Sequence, residues 1–252
     1  MPVITSTTTS TTILAPDLIP IAFACPFSMP AGSQVLIDYT VKNQGQLVAT
    51  APWYDYVVFS TDMTLGGDSA IYVYQRVANL AVNATYSLSP TVTMPNVPAG
   101  SYYLFFQTDG AGQVSESTHE ANNINGAVAI TITVPDLTPT AFSAPASAAA
   151  GSQISVSYTV KNQGSASAGA PWSEQVVLST NATFGADTTL ATFARAVGLA
   201  VNGTYTATQM VTLPSVAPGT YYLFFQTDAA DQVYEGGADA NNVRGPVTIV
   251  IS

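Results

Sequence analysis

Val41-Lys42-Asn43-Gln44-Gly45 recurs as Val160-Lys161-Asn162-Gln163-Gly164, a displacement of 119 residues. The same displacement carries Pro16-Asp17-Leu18 onto Pro135-Asp136-Leu137 and Ala51-Pro52-Trp53 onto Ala170-Pro171-Trp172. It also carries Tyr102-Tyr103-Leu104-Phe105-Phe106-Gln107-Thr108-Asp109 onto the stretch from Tyr221 to Asp228, and Asn122-Asn123 onto Asn241-Asn242. No gap is needed between residues 16–133 and 135–252, and about half the aligned positions are identical. A repeat of this length is a whole domain, so two domains of one fold are expected, over 16–134 and 135–252. They are preceded by a Thr/Ser-rich extension over 1–15.

Within each copy every local signal is β. Strands are expected over Gln34–Val41, Tyr56–Ser60, Ile71–Val77, Thr85–Val92, Ser101–Thr108 and Ala127–Thr133. Each is rich in β-branched or aromatic residues and bounded by Gly, Pro, Asn or Asp. No window carries a helical period. The expected fold is all-β: two tandem immunoglobulin-like β-sandwich domains with a short N-terminal strand-like extension. Alternation along Ser101–Thr108 puts Tyr102, Leu104 and Phe106 on one face and Tyr103, Phe105 and Gln107 on the other. One set is core; the other is an aromatic stripe, exposed or covered by a neighbour. Trp53 and Trp172 are expected in the core.

Composition narrows the function classes. The 252 residues are 47% hydrophobic but only 8% charged, with a net charge of −10. Five Lys and Arg cannot build the basic face that nucleic acid or an anionic membrane requires. The opening residues lack the basic and apolar regions of a signal peptide. No apolar run reaches the length of a membrane-spanning helix. Cys25 is the only cysteine, which leaves no intrachain disulfide, and it reads as a small buried residue.

The order Pro-Asp-Leu, Gly-Ser-Gln, Val-Lys-Asn-Gln-Gly, Trp, Leu-Ser or Phe-Ser-Thr-Asp, Gly-Ser-Tyr-Tyr-Leu, Asp, Val-x-Glu and Asn-Asn resembles the CARDB family, the cell-adhesion-related domain found in bacteria. The resemblance spans nearly the whole chain, twice. It implies immunoglobulin- or fibronectin-III-like sandwiches in a secreted or surface protein, with no set catalytic residues.

Catalytic chemistry finds little purchase. His119 is the single histidine, and Ala238 stands at its place in the second copy, so a histidine-based device cannot exist in both. The chain reads as no enzyme, and no cofactor is required. Ca²⁺ is the one candidate ion, because carboxylates and amides without cationic partners gather in one loop of each copy. The candidate ligands are Asp109, Glu116, Glu120, Asn122 and Asn123 in the first copy. In the second they are Asp228, Asp231, Glu235, Asp239, Asn241 and Asn242. The alternative is that these residues close Asx-type turns. Asp62 and Asp68, around Gly66-Gly67, form a further acidic set, with Asp187 kept in the second copy.

By the repeat displacement, residues 9–15 fall where the final strand of a preceding module would lie. Val3, Ile4, Ile13 and Leu14 are therefore candidate interface residues of a strand donated to another copy. Tyr103, Phe105, Tyr222 and Phe224 of the aromatic stripe are the candidate receiving surface. The expected function is a non-catalytic extracellular or cell-surface structural or adhesive protein. Its partners would be further copies of itself, head to tail in filaments, or other surface proteins and polysaccharide. The alternative is an accessory module that binds carbohydrate or protein.

Overall fold

The computed structural model describes residues 14–185 and 187–252. The chain divides into two compact units, one drawn chiefly from residues up to 131 and the other from 132 onward. The first contains β1 (Leu18–Ala24), β2 (Ser28–Pro30), β3 (Gln34–Leu36), β4 (Asp38–Asn43) and β5 (Trp53–Ser60). It continues with β6 (Ser69–Arg76), β7 (Thr85–Leu88), β8 (Thr91–Thr93), β9 (Gly100–Gln107) and β10 (Ile124–Thr133). The second contains β11 (Leu137–Ser143), β12 (Ser147–Ala148), β13 (Gln153–Asn162) and β14 (Trp172–Ser179). Its remaining strands are β15 (Thr188–Arg195), β16 (Thr204–Thr212), β17 (Gly219–Gln226) and β18 (Val243–Ile251). No α-helix occurs among the described residues.

Each unit pairs a three-stranded sheet with a five-stranded one. The orders are β1-β4-β7 and β2-β10-β9-β5-β6 in the first module, β11-β13-β16 and β12-β18-β17-β14-β15 in the second. Inward residues of both sheets meet in one core. In the second module it runs from Leu137, Val156, Tyr158 and Val160 to Trp172, Val176, Leu223, Phe225 and Ile249. Tyr39 stacks on Phe106 with ring centroids 4.1 Å apart, and Tyr158 on Phe225 at 3.9 Å. Trp53 and Trp172 are fully buried, as their place at an inward register position requires.

β1 and β11 were absent from the strand expectations, because Pro20 and Pro139 interrupt their patterns. Both are edge strands with a register shift just past the proline, where a missing N–H costs no ladder bond. A second difference separates the copies. The segments 34–41 and 85–92, expected as two whole strands, break into β3/β4 and β7/β8, whereas β13 and β16 run unbroken. Pro90 stands where the second copy has Gln209. Ile37 donates its N–H to the Pro90 carbonyl at 3.0 Å, but Pro90 has no N–H to return. One residue thus interrupts two paired strands.

The stripe on β9 also resolves. Leu104 and Phe106 point into the core, while Tyr103 on the opposite face is half-buried. Phe105, also on that outer face, is nevertheless only 4% exposed, and its counterpart Phe224 only 3%. Gly126 and Gly245 make this cover: a Cβ there would lie 2.8 Å and 2.6 Å from those rings. As a receiving surface for a partner, Phe105 and Phe224 are corrected: their own modules already bury them. Cys25 is half-buried, not fully buried as expected.

Candidate functional site

The motifs that recur between copies converge on one end of each sandwich. Asn43, the last residue of β4, is fully buried and uses its amide on both sides. Its Nδ2 donates to the carbonyls of Leu47 (2.8 Å) and Leu80 (3.0 Å). Its Oδ1 accepts the N–H groups of Asp17 (3.2 Å) and Gly45 (3.1 Å). The Asp17 carboxylate is then held by Gln44 Nε2 (3.0 Å) and Asn122 Nδ2 (2.9 Å). Glu116 Oε1 receives the Leu18 N–H at 2.9 Å. Gly45 lies so close to the incoming chain that a Cβ would sit 2.4–2.5 Å from backbone atoms of Ala15, Pro16 and Asp17.

The second module repeats the network bond for bond. Asn162 donates to Ala166 and Leu199 and accepts from Asp136 and Gly164. Gln163 and Asn241 hold Asp136, and Glu235 receives the Leu137 N–H. Pro-Asp-Leu, Lys-Asn-Gln-Gly, Val-x-Glu and Asn-Asn are therefore parts of one clasp that ties the first strand of the sandwich to its interior loops. Burial pushes the Glu116 carboxyl up to about 8 and that of Glu235 up to about 7.

The candidate calcium loops lie beside this clasp. Both carboxylate oxygens of Asp109 accept backbone N–H bonds, from Gln113 and Val114, each at 2.8 Å. Asp228 does the same with Gln232 and Val233. Glu120 turns to the Glu116 N–H, and Asn123 and Asn242 are buried. Asp231 and Asp239 are exposed. Among the described residues, no group of three or more His, Cys, Asp or Glu side chains is disposed to hold a metal ion. Asp109 and Asp228 sit at φ +44° and +46°, and their carboxylates bind the N–H groups four and five residues on. His119 Nδ1 lies 3.1 Å from the Glu116 carbonyl, part of the same loop closure.

A buried carboxyl that sequence reasoning missed lies in each core. Asp55 is fully buried on the inward face of β5, and burial pushes its carboxyl up to about 6. It accepts bonds from the hydroxyls of Tyr86 and Thr108, the latter at 2.8 Å. Glu174 takes the same place in the second module and is likewise raised by burial. The signal was present: Trp53, Asp55, Val57 and Phe59 share one face by alternation, so an acid was bound to point inward. With no exposed surface, Asp55 cannot meet a substrate.

On the outer face of the first module's five-stranded sheet, Tyr56, Val58, Ala70, Asp68, Gln107 and Gly110 line an open hollow of about 220 Å³. This too was not read from the sequence, because its walls come from strands and a loop far apart in the chain. Leu14 is 54% exposed; Val3, Ile4 and Ile13 lie outside the described residues.

Two sandwiches of one topology, each closed by the same clasp, define a tandem immunoglobulin-like β-sandwich protein. The CARDB family model matches residues 15–127 and again 134–245, and the chain belongs to that family. Among solved structures, it is similar to the CARDB domain of the PF1109 protein from Pyrococcus furiosus, crystallised in complex with di-metal ions. Identity is 19% over 47% of this chain and 90% of that one, with a TM-score of 0.37. The solution structure of the same domain gives 20% identity, coverage of 47% and 95%, and a TM-score of 0.34. A DUF3823 family protein from Bacteroides ovatus is 13% identical over 93% of this chain and 98% of its own, with a TM-score of 0.31. No curated protein matches the chain. Likeness at these levels carries no argument about ligands. No helix among the described residues is long and apolar enough to cross a membrane.

Proposed function

We propose that this protein is a non-catalytic structural or adhesive component of the cell surface, whose copies associate head to tail by strand addition. The observation that supports this most is the use of the recurring polar residues. Asn43, Gln44 and Asp17 hold bonds within their own module, and Glu116 and Asn122 each give it one polar atom while their other oxygen, Oε2 and Oδ1, is buried without a partner; the counterparts repeat this. What remains for a partner is surface and sheet edge. β10 and β18 fill the final-strand position of their sheets, so an incoming N-terminal segment adds at an edge and replaces nothing. β6 and β15 offer such edges, each eight residues long, free of proline and paired on one side only. Donor and acceptor differ, so the contact propagates as a filament unless its rotation closes a ring.

Sedimentation of the full chain tests this. Polymers that grow with concentration, lost on deletion of residues 2–14 while both tryptophans stay buried, are the expected outcome. A chain that stays monomeric at high concentration, or polymers indifferent to the deletion, would refute it.

A further inference from the structure

The two modules are nearly the same molecule, so places where one keeps polar groups free and the other ties them off are informative. The outer-face hollow of the first module is such a place. Its floor is apolar, Val58 and Ala70, and one wall is the ring of Tyr56. Neither the Tyr56 hydroxyl nor the Gln107 amide takes part in any hydrogen bond within the described residues. Asp68 spends Oδ2 on the Gly66 N–H at 2.9 Å, and its Oδ1 takes part in no hydrogen bond within the described residues.

In the second module the same ground is closed. Gln175 replaces Tyr56 and bonds Gln226, the counterpart of Gln107, at 2.6 Å. Phe184 replaces Leu65 and packs edge-on against Phe224 at 5.7 Å. Gly110 becomes Ala229, and this change goes with the loss of the tyrosine. A Cβ on Gly110 would lie 2.3 Å from the Tyr56 ring, so only glycine lets that ring settle where it forms the wall. Glycine and tyrosine are thus present together in one copy and absent together from the other.

We infer that this hollow binds one pyranose ring of a neutral glycan. A sugar presents an apolar C–H face, which suits the Tyr56 ring, and a rim of hydroxyls that both donate and accept. Gln107 and Tyr56 can do both, and Asp68 accepts. The hollow's volume of about 220 Å³ accommodates one such ring, and its open side lets the chain of a polysaccharide continue across the sheet. Tyr54, with its ring 6.5 Å from that of Tyr56 and its hydroxyl bonded by Gln75, extends the platform to a neighbouring residue of the glycan. Asp68 and the net charge of −10 disfavour uronic or sulfated sugars. The inference deepens the adhesive reading above by naming the class of ligand, and rests on it to that extent.

The test is affinity electrophoresis of the intact chain in native gels holding hydroxyethyl cellulose, glucomannan, soluble starch or galactan, with polygalacturonate as the acidic counterpart. At least one neutral polysaccharide should retard the protein. Tyr56→Gln installs the residue the second module already tolerates, and Gly110→Ala displaces the ring; each should weaken binding about tenfold or more. Gln175→Ala should change nothing. The inference is overturned if no neutral polysaccharide retards the chain, if retardation survives both first-module substitutions, or if polygalacturonate alone binds. Light scattering on the same samples separates the two readings. Polymers without glycan binding leave the structural reading standing alone, and glycan binding by a monomer keeps the site while removing self-assembly.

Discussion

Removing one amide should destabilise one module and leave the other untouched. Asn43→Ala deletes four hydrogen bonds, two fully buried and two part-buried. The Asp17 N–H loses its partner in the interior, at about 1–3 kcal/mol. The Leu80 carbonyl keeps the Ala49 N–H at 3.0 Å and loses one of its two bonds, about 1 kcal/mol. Water reaches the Leu47 carbonyl and the Gly45 N–H and recovers most of theirs. The expected loss is about 3 kcal/mol, against a total stability on the order of 5–15 kcal/mol for a domain. With a urea dependence of about 1.5 kcal/mol per molar, the midpoint falls by roughly 2 M.

Each module carries its own reporter, since Trp53 and Trp172 are both fully buried. In a Trp172→Phe background, tryptophan fluorescence follows the first module alone. Asn43→Ala should shift that transition, and Asn162→Ala, read through Trp172 in a Trp53→Phe background, should shift the other. Asn43→Asp restores the acceptor but points a carboxylate oxygen at two carbonyls, so it should rescue little. A loss below about 1 kcal/mol for Asn43→Ala would refute the account, because the clasp would then be ornamental to stability.

Gly164→Ala should cost the second module about 3 kcal/mol, since its Cβ would meet backbone of Val134, Pro135 and Asp136 at 2.5 Å; Gly66→Ala, with nothing within 4 Å, should be silent in the same melt. The Asp55 carboxyl is raised to about 6 in the fold, so its stabilising contribution is complete below about pH 4 and lost as pH rises through 6, a cost of about 3 kcal/mol. Glu116, raised further, extends the decline toward pH 8, so urea midpoints of the first module should fall from pH 4.5 to pH 8, and a rise would contradict the burial argument. Millimolar Ca²⁺ separates the two readings of the acidic loops: Asp109 and Asp228 already accept two N–H bonds each, while Glu116 Oε2, Asn123 Oδ1 and their counterparts are buried without a partner, and turn closure alone leaves both melting transitions in place. A Ca²⁺-dependent increase abolished by Asp109→Asn and Asp228→Asn would establish the calcium reading instead.

The sequence by itself determined the repeat, the all-β class and the burial of both tryptophans. These follow from patterns two residues long or from similarity between copies, and neither needs a partner strand to be known. It also singled out Asp17, Asn43, Gln44, Glu116 and Asn122 by their recurrence, without showing what they do. Only the tertiary structure decided that they form one clasp, because the bonds that link them to one another join residues 26 to 105 positions apart. The same holds for the acidic loops: clustering in sequence places oxygens near one another but does not say which are already taken by N–H groups. Pro90 was visible as a residue, yet its effect on Ile37 depends on a pairing across the sheet. Phe105 was read by alternation as outward, and it is outward; that it is nonetheless covered depends on Gly126 of the neighbouring strand leaving room for its ring.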